Sequence, residues 1–149
     1  MRHLCLAAAV AGVALLALAA PASAGPVDRA SARMLDRFND VRERHGLRPL
    51  RAAPRLQRTA RGFAGHLRRS GGFYHGTSYA RAGFRRSGEI LAMRSGRSLA
   101  ARPALRQWMS SGGHRALILD PSFRWVGVAP ARGAYRGSSA TIWVAHFGG

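Results

Sequence analysis

The sequence predicts an α+β fold. Behind an apolar leader, apolar residues recur at helical spacing, and alternation of the strand type appears only from residue 125 onward. Helices come first and strands late, so the elements do not alternate as a doubly wound parallel sheet requires. No internal repeat and no Pro/Gly/Ser-rich interdomain linker breaks the chain.

Each element has a local reason. Met34, Leu35, Phe38 and Val41 share one helical face, with Asp28 or Ser31 as the expected cap and Gly46 as the stop. A second helix is expected to open at Pro54, where a missing N–H costs nothing. Leu56, Ala60, Phe63, Ala64 and Leu67 form its stripe, and Ser70-Gly71-Gly72 ends it. Residues 73–98 read as irregular, short apolar pieces punctuated by Gly and Ser. A third helix near Pro103 carries Leu105, Trp108 and Met109 inward, and a helical turn from His114 to Leu119 stops before Pro121. Strands are expected at Trp125 to Ala129 and at Ala140 to Phe147.

The 149 residues suffice for one domain rather than two, and 47% hydrophobic content excludes wholesale disorder. The net charge is +18, and every one of the 24 basic residues is arginine. A total absence of lysine points first to a codon-biased, GC-rich genome and only then to function.

Residues 1–24 read as a signal peptide, with Arg2 and His3 as the basic start, Leu4 to Ala20 as the apolar run and Ala22-Ser23-Ala24 as the small-residue cleavage site. An uncleaved anchor is the alternative. Cleavage after Ala24 leaves residues 25–149 as a single exported domain and removes Arg2, taking the charge from +18 to +17. The only cysteine, Cys5, leaves with the leader, so the mature chain has no disulfide, thiolate ligand or cysteine nucleophile.

No phosphate-binding loop, dinucleotide fingerprint, H-E-x-x-H or G-x-S-x-G is present. Of the six acids, Asp28, Asp36, Asp40 and Glu43 lie on or beside the first helix, and Asp120 precedes a proline as a turn residue. Glu89 alone sits among apolar neighbours, in Ser87-Gly88-Glu89-Ile90-Leu91, where a carboxylate needs a partner. His75 and His114 are the candidate partners, His114 standing after a glycine pair that lets the backbone approach closely. Two imidazoles and a carboxylate suit either a divalent metal or a proton-handling cluster; ordinary hydrogen-bonded histidines are the competing reading. His146, alternating with Ile142 and Val144, reads as a buried hydrogen-bonded strand histidine, and His45 as a cation at a helix end. The three tryptophans read as core, and Arg115 as pairing with a carboxylate or the chain end.

At these residues the sequence resembles the bacterial branch of the CAP superfamily, also called the SCP domain. The stretches are Asn39 to Leu50, Phe73-Tyr74-His75, Gly88-Glu89-Ile90-Leu91-Ala92, Trp108 to Phe123 and Val126-Gly127-Val128, in the family's order. The resemblance implies a three-layer α-β-α sandwich with a surface cleft in which His75, Glu89 and His114 take three of the family's cleft positions. It implies as candidate cofactor a divalent metal such as zinc, with those same three residues as its ligands. Three departures bear on this: Ile90 replaces the family's asparagine, Ser111 stands where a full tetrad has a second glutamate, and Gly112 replaces the usual proline.

Three functions follow as expectations. The first is a secreted, non-enzymatic envelope or extracellular module binding a small or lipidic ligand in the cleft. The second is a metal-assisted hydrolase of peptide or cell-wall polymer. The third is an electrostatic binder of anionic envelope polymers or of a membrane surface. The arginines are scattered, with Arg68-Arg69 and Arg85-Arg86 the doublets, and no aromatic-interleaved stripe argues for nucleic acid. The sequence leaves the oligomeric state open.

Overall fold

A computed structural model describes residues 24–149, so the signal-peptide reading and Cys5 lie outside the described residues, Ala24 excepted. Helices α1 (Pro26–Glu43), α2 (Pro54–Ser70), α3 (Ala101–Met109) and α4 (Gly112–Leu119) surround strands β1 (Arg51–Ala52), β2 (Ser87–Ser95), β3 (Trp125–Tyr135) and β4 (Ser138–Gly148). A 3₁₀ turn covers Ser78–Ala82. None of the described helices is long and apolar enough to cross a membrane.

The sheet order is β1-β3-β4-β2, with β1 parallel to β3 and the other pairs antiparallel. Strand parity sorts the two faces. Trp143, Ala145 and Phe147 of β4, with Ile90 and Ala92 of β2, point to α1, α3 and α4 and join Met34, Phe38, Leu105, Trp108 and Ile118 in one core. Ile142 and Val144, with Leu91, point to α2 and meet Ala60, Phe63, Ala64 and Leu67. These layers are the expected α-β-α sandwich.

Several local expectations change. Helix α1 starts at Pro26 behind Gly25, which places Asp28 in the first turn and Ser31 inside the helix. Residues 87–95, read as irregular, form β2. Its run Gly88 to Ala92 is buried on both faces, so it shows no alternation to recognise. Both late strands run further than their apolar cores, and two-residue β1 is too short to leave a pattern.

Gly127 fixes how α2 meets the sheet. A Cβ there would lie 2.1 Å from the backbone of Leu56 and Gln57, so only glycine admits the helix. Gln57 then reaches the edge of β3. Its Nε2 donates to Val128 O at 2.9 Å, and its Oε1 accepts from Val128 N at 3.0 Å. Ala53 N donates to Val126 O, and Pro130 follows two residues after Val128 on the same strand.

Arg42 is fully buried in α1 and donates only to carbonyls: Arg48 O, Ile118 O, Asp120 O and Phe123 O, at 2.7 to 3.3 Å. It caps the end of α4 and ties it to the loop entering β3. Desolvation draws its pKa below the ordinary guanidinium value; Arg124 adds to the effect and Asp120 opposes it.

Candidate functional site

Strand pairing builds the centre of the site. Glu89 of β2 and His146 of β4 are register partners on the α2-facing side of the sheet. Both are buried, and His146 Nε2 lies 2.9 Å from Glu89 Oε2. The other carboxylate oxygen, Oε1, accepts from Gly76 N and from His75 Nδ1, each at 2.9 Å. A buried carboxylate requires such partners, and Glu89 has three. Gly76 can donate because it has no Cβ: one would sit 2.6 Å from the Phe63 ring.

His75 donates through Nδ1, which leaves Nε2 toward solvent on a side chain that is 63% exposed. On the far side, His146 Nδ1 lies 2.8 Å from Thr59 Oγ1, itself 3.0 Å from Leu56 O. Helix α2 therefore supplies the back wall, with Tyr79 packing its ring 5.3 Å from His146. Outside this core, Phe73 and Tyr74 are exposed. Tyr74 meets Phe63 edge-on, and its hydroxyl is 2.6 Å from His66 Nε2.

His114 lies in the first turn of α4, within electrostatic reach of His75. Its pKa lies below the ordinary imidazole value, first through desolvation and then through the nearby charge of His75. Its Nδ1 is buried without a hydrogen-bond partner. The glycine pair before it meets nothing: a Cβ on Gly112 or Gly113 would stand in open space, so close approach is not their role. Among the described residues, Arg115 pairs with no carboxylate. It reaches His45 Nε2 at 3.2 Å, and His45 in turn donates from Nδ1 to Val41 O near the end of α1.

The structure thus joins His75 to Glu89 directly and sets His114 beside His75 without a contact to Glu89 among its hydrogen bonds. His146, Thr59 and Gly76 belong to the same network, which the sequence does not mark as a site. Parity along β4 gives the side that His146 faces; the register that sets it against Glu89 is a tertiary fact. Among the described residues, no three His, Cys, Asp or Glu side chains are grouped to hold a metal ion. Glu89 spends both oxygens on hydrogen bonds, so the donor most open to a divalent ion is Nε2 of the exposed His75, with His114 as the second imidazole. In that arrangement Glu89 would orient His75 rather than act as the third ligand.

The family model of the cysteine-rich secretory protein family, CAP, matches residues 35–147. The chain belongs to that family. Among solved structures, it is similar to an extracellular SCP-domain protein from Bacillus anthracis, with a TM-score of 0.68, 24% identity, and coverage of 82% of this chain and 41% of that one. An outer surface protein from Borrelia burgdorferi superposes with a TM-score of 0.66 at 21% identity, over 80% of this chain and 92% of that one. A venom allergen-like protein from Schistosoma mansoni gives 0.64 at 12% identity, over 80% and 87%. These likenesses concern the fold. No curated protein shows significant sequence similarity to the chain.

Proposed function

We propose that this CAP-family chain is an exported, non-enzymatic binding module whose cleft beside Glu89 receives a small or lipidic ligand. The observation that carries this reading is the use of Glu89. Both of its oxygens are engaged and three of its roughly four acceptor positions are filled, so the carboxylate chiefly fastens β2, β4 and the His75 loop together. Around it, exposed Phe73 and Tyr74 and the outward face of His75 give ring surfaces with one polar nitrogen, a lining suited to apolar ligands with a single polar group. Export is supported by the leader and by the extracellular and outer-surface descriptions of two structural neighbours. The test is a titration with fatty acids and isoprenoid lipids, followed through the ring resonances of Tyr74 and His75. Saturable shifts that Tyr74→Ala abolishes support the module; an unmoved cleft at saturating lipid counts against it.

A second reading, a metal-assisted hydrolase of peptide or wall polymer, is favoured by one contact. The His75 Nδ1–Glu89 pair is the carboxylate–imidazole arrangement that directs the other ring nitrogen toward a metal. A bound divalent ion such as zinc would supply Lewis acidity there. Stoichiometric zinc in the purified protein, lost in the His75→Ala, His114→Ala double variant together with a chelator-sensitive activity, would establish it. Activity that survives both would exclude it. The +18 charge supports the third reading, attraction to anionic envelope polymers or membrane surfaces.

A further inference from the structure

Trp125 departs from the other tryptophans. Trp108 and Trp143 are completely buried, as expected of core, whereas Trp125 at the start of β3 is 37% exposed. It forms the shared wall of two neighbouring cavities. One, of about 520 Å³, is lined by Arg55 and Arg58 of α2 together with Phe84. The other, of about 350 Å³, is lined by Arg48, Arg51 and Arg124. Sheet register creates the junction, because Arg51 of β1 is the parallel partner of Trp125.

Five arginines around one tryptophan cost repulsion; Arg124 is held by the carbonyls of Pro121 and Phe123, and the other four have no carboxylate partner among the described residues. Among the described residues, the carboxylates of Asp28, Asp40, Glu89 and Asp120 pair with Arg61, Arg37, the histidines and Arg86. None reaches Arg48, Arg51, Arg55 or Arg58, all of which are exposed. An arginine-rich chain puts guanidinium groups near many surface features. What distinguishes this place is that the exposed tryptophan and two concave spaces coincide with them.

We propose that Trp125 and the arginines flanking it form a binding site for a linear polymer of sugar or polyol units joined by phosphodiesters. One unit seats against Trp125 and Phe84, while the phosphates on either side meet Arg55 and Arg58 in one cavity and Arg48 and Arg51 in the other. Two guanidinium groups lining one cavity suit a tetrahedral phosphate, whose oxygens accept from more than one fork. The concavity favours a strand lying in a furrow over a flat bilayer. A single exposed ring gives a platform for one unit, whereas single-stranded nucleic acid draws on a succession of rings. The site shares no lining residue with the Glu89 cleft. It deepens the polymer-binding reading and does not depend on what the cleft holds.

The experiment is calorimetric titration of the purified protein with poly(glycerol phosphate) of defined length. The variants are Arg55→Gln/Arg58→Gln, Arg48→Gln/Arg51→Gln and Trp125→Ala, with Arg102→Gln/Arg106→Gln on α3 as an equal loss of charge elsewhere. Thermal melts verify that each variant is folded. Each pair beside Trp125 should weaken binding by at least about tenfold, as expected for lost charge-assisted hydrogen bonds. The α3 pair should stay within about twofold, and His75→Ala should bind as the wild type does. An equal loss from the α3 pair would reduce the effect to net charge and overturn the site. Failure of the wild type to bind the polymer would overturn it as well. So would tighter binding, through the same arginines, of phosphatidylglycerol vesicles or of an oligothymidylate of matching charge.

Discussion

Glu89 and His146 face each other across the β2–β4 ladder as register partners, joined by a 2.9 Å hydrogen bond with both side chains sealed from solvent. The pair anchors the network that holds the His75 loop, through Glu89 Oε1 to His75 and Gly76. Replacing His146 by Phe keeps the volume roughly constant but orphans Glu89 Oε2 and leaves Thr59 Oγ1 with its bond to Leu56 O alone. A loss of about 2–4 kcal/mol of stability is expected, read from the denaturation midpoint, because one partner of a buried polar pair is left unmatched. A variant as stable as the wild type would mean that water enters freely and that the cleft floor is open.

The protonation of His114 gives a pH signature. Its folded pKa is below the ordinary imidazole value, through desolvation first and the His75 charge second. The unfolded chain therefore binds a proton at a higher pH than the folded chain does. The stability that His114 contributes is complete above its unfolded pKa and is lost as pH falls toward the depressed folded pKa. Denaturant titrations from neutral pH downward should show this loss, and His114→Gln should flatten it. In an imidazole titration, His75→Ala should raise the His114 pKa only partway, since the larger cause remains.

Arg42→Lys isolates hydrogen bonding from charge. A lysine keeps the cation but cannot reach four carbonyls in a planar fork. A cost of about 2–4 kcal/mol is expected by chemical denaturation, with hydrogen exchange rising first around Ile118 and Phe123. A loss confined to α1 would contradict the assigned role of tying α4 to the β3 entry.

Gly127→Ala tests the helix–sheet approach. The added Cβ collides with the backbone of Leu56 and Gln57, so α2 must move as a body. A destabilisation of about 3 kcal/mol or more is expected. Because Thr59 rides on the same helix, the His146 ring resonances should shift too.

The sequence is most legible where a pattern is local. The stripes of α1 and α2 and the inward Leu105 and Trp108 follow directly from spacing, and their burial agrees. Strand β2 is hidden because both of its faces are covered, which erases the alternation that would mark it. At the site, Glu89 stands out as an acid among apolar residues, and it proves to be the hub. Its partnership with His146 depends on strand register, and that with Gly76 on a loop amide, neither of which local spacing reveals. Trp125 looks like core by composition and is instead exposed, since its place at the outer start of β3 is a matter of topology.

The outer edge of β3 is closed at three successive outward positions by three different means. Ala53 bonds Val126, the Gln57 amide occupies both backbone groups of Val128, and Pro130 has no N–H to give. An open strand there would be a template on which a second copy could add its own and extend into ribbons. With those positions taken, the first half of this border offers no such template. Gln57→Ala, which frees both groups of Val128 at once, would reopen the middle position.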